Sequence, residues 1–309
     1  MNFIGKDIIS VNDMLRNEID FILEKSEFIE NMPVLEKSNL LKGKIIASLF
    51  FEPSTRTKDS FTTACYRLGG SITGFTDTSS TSLKKGETLF DTLKMYEIYS
   101  DVIVMRHNIE GSARFASECV DIPIINGGDG ANQHPTQTLL DLYSIKKNQG
   151  KIDGLSIALA GDLKYGRTVH SLACALSLYK DITLYFISPE SLKMPDFITE
   201  LLKERNINFF ECNEINDVID KVDIFYMTRI QGERFPDKTE YEKVKGIYIL
   251  EKNNLINVKE NLKIMHPLPR IDEISKEIDN TPYAYYFEQA ANGIPVRQAL
   301  LSLLTGGIK

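Results

Sequence analysis

Nowhere does the chain carry eighteen apolar residues in a row, and its first residues lack the basic flank and apolar core of a secretion signal. No membrane segment is expected, and a soluble cytoplasmic protein is. Cysteine is scarce and scattered: Cys65, Cys119, Cys174 and Cys212 form no Cys-x-x-Cys pair. Neither a disulfide framework nor a thiolate metal site follows, and buried thiols do. Positive charge is in deficit, with 36 Lys and Arg against 43 Asp and Glu for a net −7. That balance argues against nucleic acid or an anionic membrane as partner. Low-complexity tracts and internal repeats are also missing. The stretch from Gly161 to Thr168 nearly spells a nucleotide-binding P-loop, but Arg167 stands where the phosphate-touching lysine belongs. It also fails the Gly-x-Gly-x-x-Gly fingerprint of dinucleotide sites. A P-loop hydrolase would require magnesium-dependent ATP binding at Lys164 to Thr168.

At 309 residues, with 42% apolar and 26% charged side chains, the chain is an ordinary globular sequence long enough for two domains. Residues 1–40 read as helices, with Leu15, Ile19 and Leu23 on the apolar stripe of Val11 to Leu23. Apolar strands are expected at Lys44–Phe50, Ile72–Phe75, Val102–Met105, Ile122–Asn126, Leu155–Ala160, Ile182–Ile187, Phe209–Glu211, Val222–Met227 and Lys263–Met265. Helices are expected between several of them, and a last one over Glu288–Leu304. The alternation predicts an α/β protein of two doubly wound domains with mostly parallel sheets and the active site in the cleft between them. Polar Gly232–Val244 reads as a loop that closes on substrate.

Cations recur just after apolar strands, at Arg56, Arg106, Arg167, Arg229 and Arg270, with Lys85 in a loop. In open α/β sheets ligands bind beyond the carboxyl ends of the strands. Ser54, Thr55, Arg56 and Thr57 stand where the first strand hands over to a helix whose Phe61, Ala64, Cys65 and Leu68 share a face. A helix start presents unpaired N–H groups and a partial positive charge, and here adds hydroxyls and a guanidinium. From spacing alone, an N-cap beside a solvated arginine fits equally well.

Three motifs break the tie. Ser54-Thr55-Arg56-Thr57, His134-Pro135-Thr136-Gln137 and His266-Pro267-Leu268-Pro269-Arg270 resemble signatures of the aspartate/ornithine carbamoyltransferase family. They come in that family's order, and similarity runs along nearly the whole chain. The resemblance implies a carbamoyl-phosphate domain at 1–134 plus 289–309, a linking helix at 135–149 and an acceptor domain at 150–288. Carbamoyl phosphate would meet Ser54, Thr55, Arg56, Thr57, Arg106, His134, Gln137, Pro267 and Leu268. Ser82 and Lys85 would reach a neighbouring subunit's site, with Lys84 as the alternative to Lys85, since this chain has one residue fewer there. Aspartate would meet Lys85, Arg167, Thr168, Arg229, Gln231, Pro267 and Leu268. Arg56, Thr57, Lys85, Arg106 and His134 would act in catalysis, without metal or cofactor. His107 reads as structural.

Two arginines suit two carboxylates, and His-Pro-Leu-Pro stands where ornithine-accepting members carry His-Cys-Leu-Pro. Both favour the aspartate branch, within pyrimidine biosynthesis. The alternatives are an ornithine-type enzyme and a non-catalytic binding subunit of the same fold. The resemblance further implies a homotrimer with shared active sites, and admits separate regulatory chains.

Overall fold

The computed structural model describes residues 1–77, 81–232, 235 and 237–308. The chain divides into two compact units, Met1–Leu140 with Asn292–Lys309, and Asp141–Ala291. Both divisions fall inside helices, the first of them within the helix expected to link two domains.

The first unit is built from α1 (Arg16–Asn31), α2 (Val34–Lys37), β1 (Ile45–Phe50), α3 (Thr55–Arg67), β2 (Ser71–Phe75), α4 (Leu89–Tyr99), β3 (Val102–His107), α5 (Ser112–Cys119) and β4 (Ile124–Asp129). α6 (Pro135–Gln149) and α10 (Tyr286–Thr305) are the helices that cross the unit boundaries. Its sheet has the order β2-β1-β3-β4, all parallel. β1, β3 and β4 bury nearly every residue on both faces, as strands of a helix-covered parallel sheet do. The N-terminal segment covers the β4 edge: Ile8 N–H donates to the Ile124 carbonyl and Asn126 N–H to that of Ile8, at 2.8 and 2.9 Å. An edge so covered offers no free ladder for aggregation.

The second unit holds β5 (Ser156–Ala160), α7 (Arg167–Leu176), β6 (Thr183–Ile187), α8 (Asp196–Glu204), β7 (Asn208–Cys212), β8 (Ile224–Met227), α9 (Lys238–Val244) and β9 (Lys263–Met265). The parallel order is β7-β6-β5-β8-β9. Its core gathers Ala158, Phe225, Met227, Leu250, Ile264 and Tyr286, all fully buried. Burying one such aliphatic or aromatic side chain contributes about 1.5–3 kcal/mol.

The strand expectations hold to within two or three residues. Two others need correction. The first long helix starts at Arg16, and Leu15 is its 65% exposed N-cap rather than a core residue, while Ile19 and Leu23 are buried. The stretch Gly232–Val244 is not loop throughout. Asp237 caps α9 by accepting from Thr239 N–H at 2.8 Å, and Val244 buries its side chain. Residues 233, 234 and 236 of that stretch lie outside the described residues. α5 was not expected from the sequence.

Candidate active site

In each sheet the direction of winding reverses once, between β1 and β3 and between β5 and β8. Segments leaving those strands diverge, and the space beyond their carboxyl ends is where this architecture takes ligands. The expected residues sit at those ends. Ser54–Thr57 follow β1, Arg106 is the next-to-last residue of β3, Arg167 follows β5, and Arg229 and Gln231 follow β8. His134 follows β4 and starts α6, and Pro267 and Leu268 follow β9.

In the first unit, Ser54 is the N-cap of α3, yet its hydroxyl caps nothing and no acidic residue occupies the first turn. The start of α3 thus keeps its donors and its positive end. Arg56 reaches solvent, and the protein around it pulls its pKa below the usual arginine value by desolvation. Thr57 is buried, and its Oγ1 lies 3.5 Å from Nε2 of buried His134. The other ring nitrogen of His134 lies 3.4 Å from Thr136 Oγ1. Arg106 is held from two sides, by Glu52 Oε1 at 2.6 Å and by the Gly127 carbonyl at 3.2 Å.

Gly127 lies against these groups, and its carbonyl is the one that Arg106 donates to. A Cβ there would sit 3.1 Å from the Met105 carbonyl, 3.6 Å from Thr57 Cγ2 and 3.7 Å from Arg106 Cβ. The loop that carries His134 is fixed by a carboxylate that sequence reasoning missed. Asp129, 1% exposed, accepts from the Gly111 and Gln133 N–H groups and the Asn126 and Asn132 amides, at 2.9–3.0 Å. Gln137 lies one turn into α6. Ser82 and Lys85 are on an exposed 3₁₀ turn, Ser82–Lys85, and residues 78–80 before it lie outside the described residues. Lys84 is on the same turn and equally exposed. His107 packs its ring 4.7 Å from that of Phe51, and burial lowers its pKa.

In the second unit, Arg167 opens α7 and is buried to 7% exposure, with Thr168 beside it. Asp162 ties its loop to the one after β8. Fully buried, it accepts from Tyr165 N–H at 2.9 Å and from Gln231 N–H at 3.2 Å, and its own N–H donates to Thr228 Oγ1 at 3.0 Å. Gly161 (φ +107°) makes the approach feasible, since a Cβ there would stand 2.3 Å from the Thr228 carbonyl. His170 donates from Nε2 to the Leu163 carbonyl at 2.6 Å and fastens the loop from behind. The rings of Tyr165, Phe235 and Tyr241 then pack in series, tilted and edge-to-face, at 5.2 and 5.6 Å. Arg229 and Gln231 are half-buried beside them.

The segment after β9 is clamped at both ends. His266, 2% exposed, donates from Nε2 to Glu273 Oε1 at 2.7 Å and accepts at Nδ1 from Leu268 N–H at 2.8 Å. Its own N–H donates to Gln289 Oε1 at 2.8 Å, and Gln289 in turn donates to Asp141, which also accepts from the Tyr226 hydroxyl. At the far end, Arg270 grips both Asp279 oxygens at 2.5 Å and lies 4.9 Å over the Tyr286 ring. Burial lowers the pKa of His266 against the opposing pull of Glu273. For Glu273 burial works upward, but the hydrogen bonds from His266 and nearby N–H groups prevail and hold it low. A neutral imidazole beside a carboxylate follows. Asp129, Asp162 and Glu273 gave no sequence signal, because an isolated acidic residue in a loop reads as solvated.

Among the described residues no group of three His, Cys, Asp or Glu is placed to hold a metal ion, and no helix is long and apolar enough to cross a membrane. All four cysteines are free, and Cys65 and Cys174 are buried.

Two parallel α/β units with anion-directed loops at their strand ends define a doubly wound enzyme acting on small anions. The family model "Aspartate/ornithine carbamoyltransferase, carbamoyl-P binding domain" matches residues 6–147, and "Aspartate/ornithine carbamoyltransferase, Asp/Orn binding domain" matches residues 153–304. The chain belongs to the aspartate/ornithine carbamoyltransferase family. It is 57% identical over 308 residues to the aspartate carbamoyltransferase catalytic subunit of Thermococcus kodakarensis, covering 99% of each chain. Among solved structures, the catalytic subunit of M. jannaschii aspartate transcarbamoylase superposes with a TM-score of 0.91 at 50% identity, over 97% of this chain and 98% of that one. The Trypanosoma cruzi aspartate transcarbamoylase in complex with carbamoyl phosphate and aspartate gives 0.90 at 36% identity, over 98% and 97%.

Proposed function

We propose that the chain transfers the carbamoyl group of carbamoyl phosphate to the amino group of L-aspartate, giving N-carbamoyl-L-aspartate and phosphate. The observation that carries the reading is the joint placement of Thr57, His134 and Arg106 around side-chain-free Gly127, beside the open start of α3. A helix start with hydroxyls and guanidinium groups suits a phosphate dianion. The first unit binds carbamoyl phosphate through Ser54, Thr55, Arg56, Thr57 and Arg106, with Gln137 on the carbamoyl amine.

The second unit binds aspartate. Arg167 with Thr168 takes one carboxylate, and Arg229 with Gln231 the other. The carbonyls of Pro267 and Leu268 face the amino group. That amine attacks the carbamoyl carbon, a C–N bond forms, and the carbonyl oxygen takes up negative charge. Thr57, Arg106 and His134 donate to that oxygen. As the oxyanion collapses, the C–O bond to phosphate breaks, the bridging oxygen keeps the electron pair, and the departing phosphate takes up the proton that the nitrogen loses. Each donor to the oxyanion is worth about 10²–10³-fold in rate. Holding two anions together against their repulsion supplies much of the remainder.

The aspartate branch is favoured over ornithine by the two arginines and by Pro267, and over a non-catalytic subunit by the intact Arg56, Arg106 and His134. We further infer a cytoplasmic enzyme of pyrimidine biosynthesis that acts as a homotrimer, in which Ser82 and Lys85 serve the neighbouring subunit's site. Separate regulatory chains fit the same reading. Phosphate release from carbamoyl phosphate on adding L-aspartate tests the reaction. For the shared site, Lys85→Ala mixed with Arg56→Ala regains activity through hybrid trimers; no recovery after proven subunit exchange contradicts it.

A further inference from the structure

Leu268 adopts φ +54°, the left-handed region that an L-residue with a branched side chain avoids. Such a conformation persists only where its surroundings over-determine it. Here the restraint is visible. The Leu268 N–H is held by Nδ1 of His266 two residues earlier, an arrangement in which a side-chain acceptor replaces the turn's own carbonyl. The imidazole cannot rotate away, because its opposite edge is fixed to Glu273, and Glu273 is fixed by the N–H groups of Ile271 and Asp272 at 3.1 and 3.2 Å. The backbone N–H of His266 is tied to Gln289, so the ring's own attachment point is also pinned. Arg270, gripped by Asp279 and Tyr286, closes the far end. Every anchor points to the two residues in between, Pro267 and Leu268, which themselves stay half-exposed.

We propose that His266 and Glu273 are positioning residues for the acceptor amine, acting through the left-handed turn at Leu268. Neither touches substrate. His266 Nδ1 sets the backbone of Leu268, and Glu273 sets the tautomer and angle of His266 by taking the Nε2 proton in a hydrogen bond. The carbonyls of Pro267 and Leu268 are thereby held in one direction, so that an ammonium or amine meets preorganised acceptors and the cost of ordering them is not drawn from binding. The proposal rests on the assignment of aspartate as acceptor, and it deepens that assignment by naming what sets amine recognition in the second unit.

The test separates substrate steps and uses the full chain. His266→Leu removes both ring contacts. His266→Asn keeps an acceptor for the Leu268 N–H and loses only Glu273. Glu273→Gln leaves one oxygen to satisfy His266 and two backbone donors, so one contact is lost. Kinetic constants for aspartate are compared with carbamoyl phosphate affinity measured calorimetrically without aspartate. Losing a buried hydrogen bond to a positioning group is expected to raise the aspartate KM about tenfold or more in His266→Leu. Carbamoyl phosphate affinity falls several-fold less than the aspartate KM rises, since most of its expected contacts, Ser54 to Thr57, Arg106, His134 and Gln137, lie away from this segment, and only Pro267 and Leu268 are on it. Asn at 266 restores most of the loss, and Glu273→Gln falls between. Wild-type aspartate KM in folded Glu273→Gln, with only the melting temperature lowered, overturns the proposal even if His266→Leu does not fold. Asn and Leu behaving alike also overturns it. Absence of wild-type turnover with aspartate overturns the acceptor assignment first and this proposal with it, whereas wild-type turnover with unaltered variants overturns this proposal alone.

Discussion

Asp162→Asn is the most informative single change outside the substrate-binding set. Aspartate and asparagine have nearly the same volume, so packing around this fully buried residue is retained. What changes is the donor pattern, together with the replacement of an ionisable carboxyl by a neutral amide. Asp162 Oδ1 accepts from Tyr165 N–H at 2.9 Å and Oδ2 from Gln231 N–H at 3.2 Å. An amide presents one oxygen and one NH₂ group, so one of those backbone donors must face another donor. The amide keeps its oxygen on the shorter contact, and the loss falls on Gln231. A charge-assisted hydrogen bond contributes about 1.5–3 kcal/mol, and an orphaned buried N–H costs about 1–3 kcal/mol. Part of that cost is relieved as the loop after β8 loosens, which leaves a stability deficit of about 2 kcal/mol and a displaced Arg229 and Gln231. Each 1.4 kcal/mol is tenfold in affinity, so the aspartate KM should rise by about ten- to hundredfold. Carbamoyl phosphate affinity should be unchanged. Steady-state kinetics with each substrate varied, beside urea denaturation, reads both quantities. A folded Asp162→Asn protein with wild-type aspartate KM would refute the reasoning.

Arg56→Ala should lose most turnover, about 10²-fold or more, with the fold intact by circular dichroism; a near-normal rate would sink its phosphate role. Gly161→Ala should be destabilised by at least 2 kcal/mol, about the size expected for a strained backbone and overpacking, because its Cβ would press on the Thr228 carbonyl at 2.3 Å and φ is +107°. Thermal denaturation reads that loss. Acid should weaken the second unit through His266. Its folded pKa lies below the ordinary histidine value, so its contribution is complete above about pH 6.5 and is lost as pH falls through that value toward the folded pKa. Glu273, also lowered, loses its contribution in the same direction at lower pH. The stability gap between wild type and His266→Asn should therefore shrink between pH 7 and 5.5; a constant gap in denaturation curves would contradict this.

What was legible in the sequence follows from where its information is local. β1, β3, β5 and β8 are short apolar runs, and the residues that end them, Ser54, Arg106, Gly161 and Arg229, stand out by contrast. α3 shows its buried face at helical spacing, and Phe61, Ala64, Cys65 and Leu68 are all buried. α9 was hidden because Lys238–Val244 offers only Tyr241 and Val244 as apolar anchors behind Pro236. α5 is one short run of 8 residues whose buried face is only Ser112, Ala113 and Ala116, too brief and too weakly apolar to stand out. Leu15 looked like core because the stripe was extended one turn too early. The carboxylates that order the loops were illegible for a different reason. Asp129 gathers donors from Gly111 to Gln133, and Glu273 is tied to a histidine seven residues away through the fold. Such roles exist only once the strands have brought distant segments together.

The most direct measurement offers carbamoyl phosphate with L-aspartate and L-ornithine in parallel and identifies the products. Carbamoyl-aspartate alone is the predicted result. Carbamoyl-ornithine would contradict the roles given to Arg167, Arg229 and the segment after β9, and no product from folded protein would contradict the reaction itself.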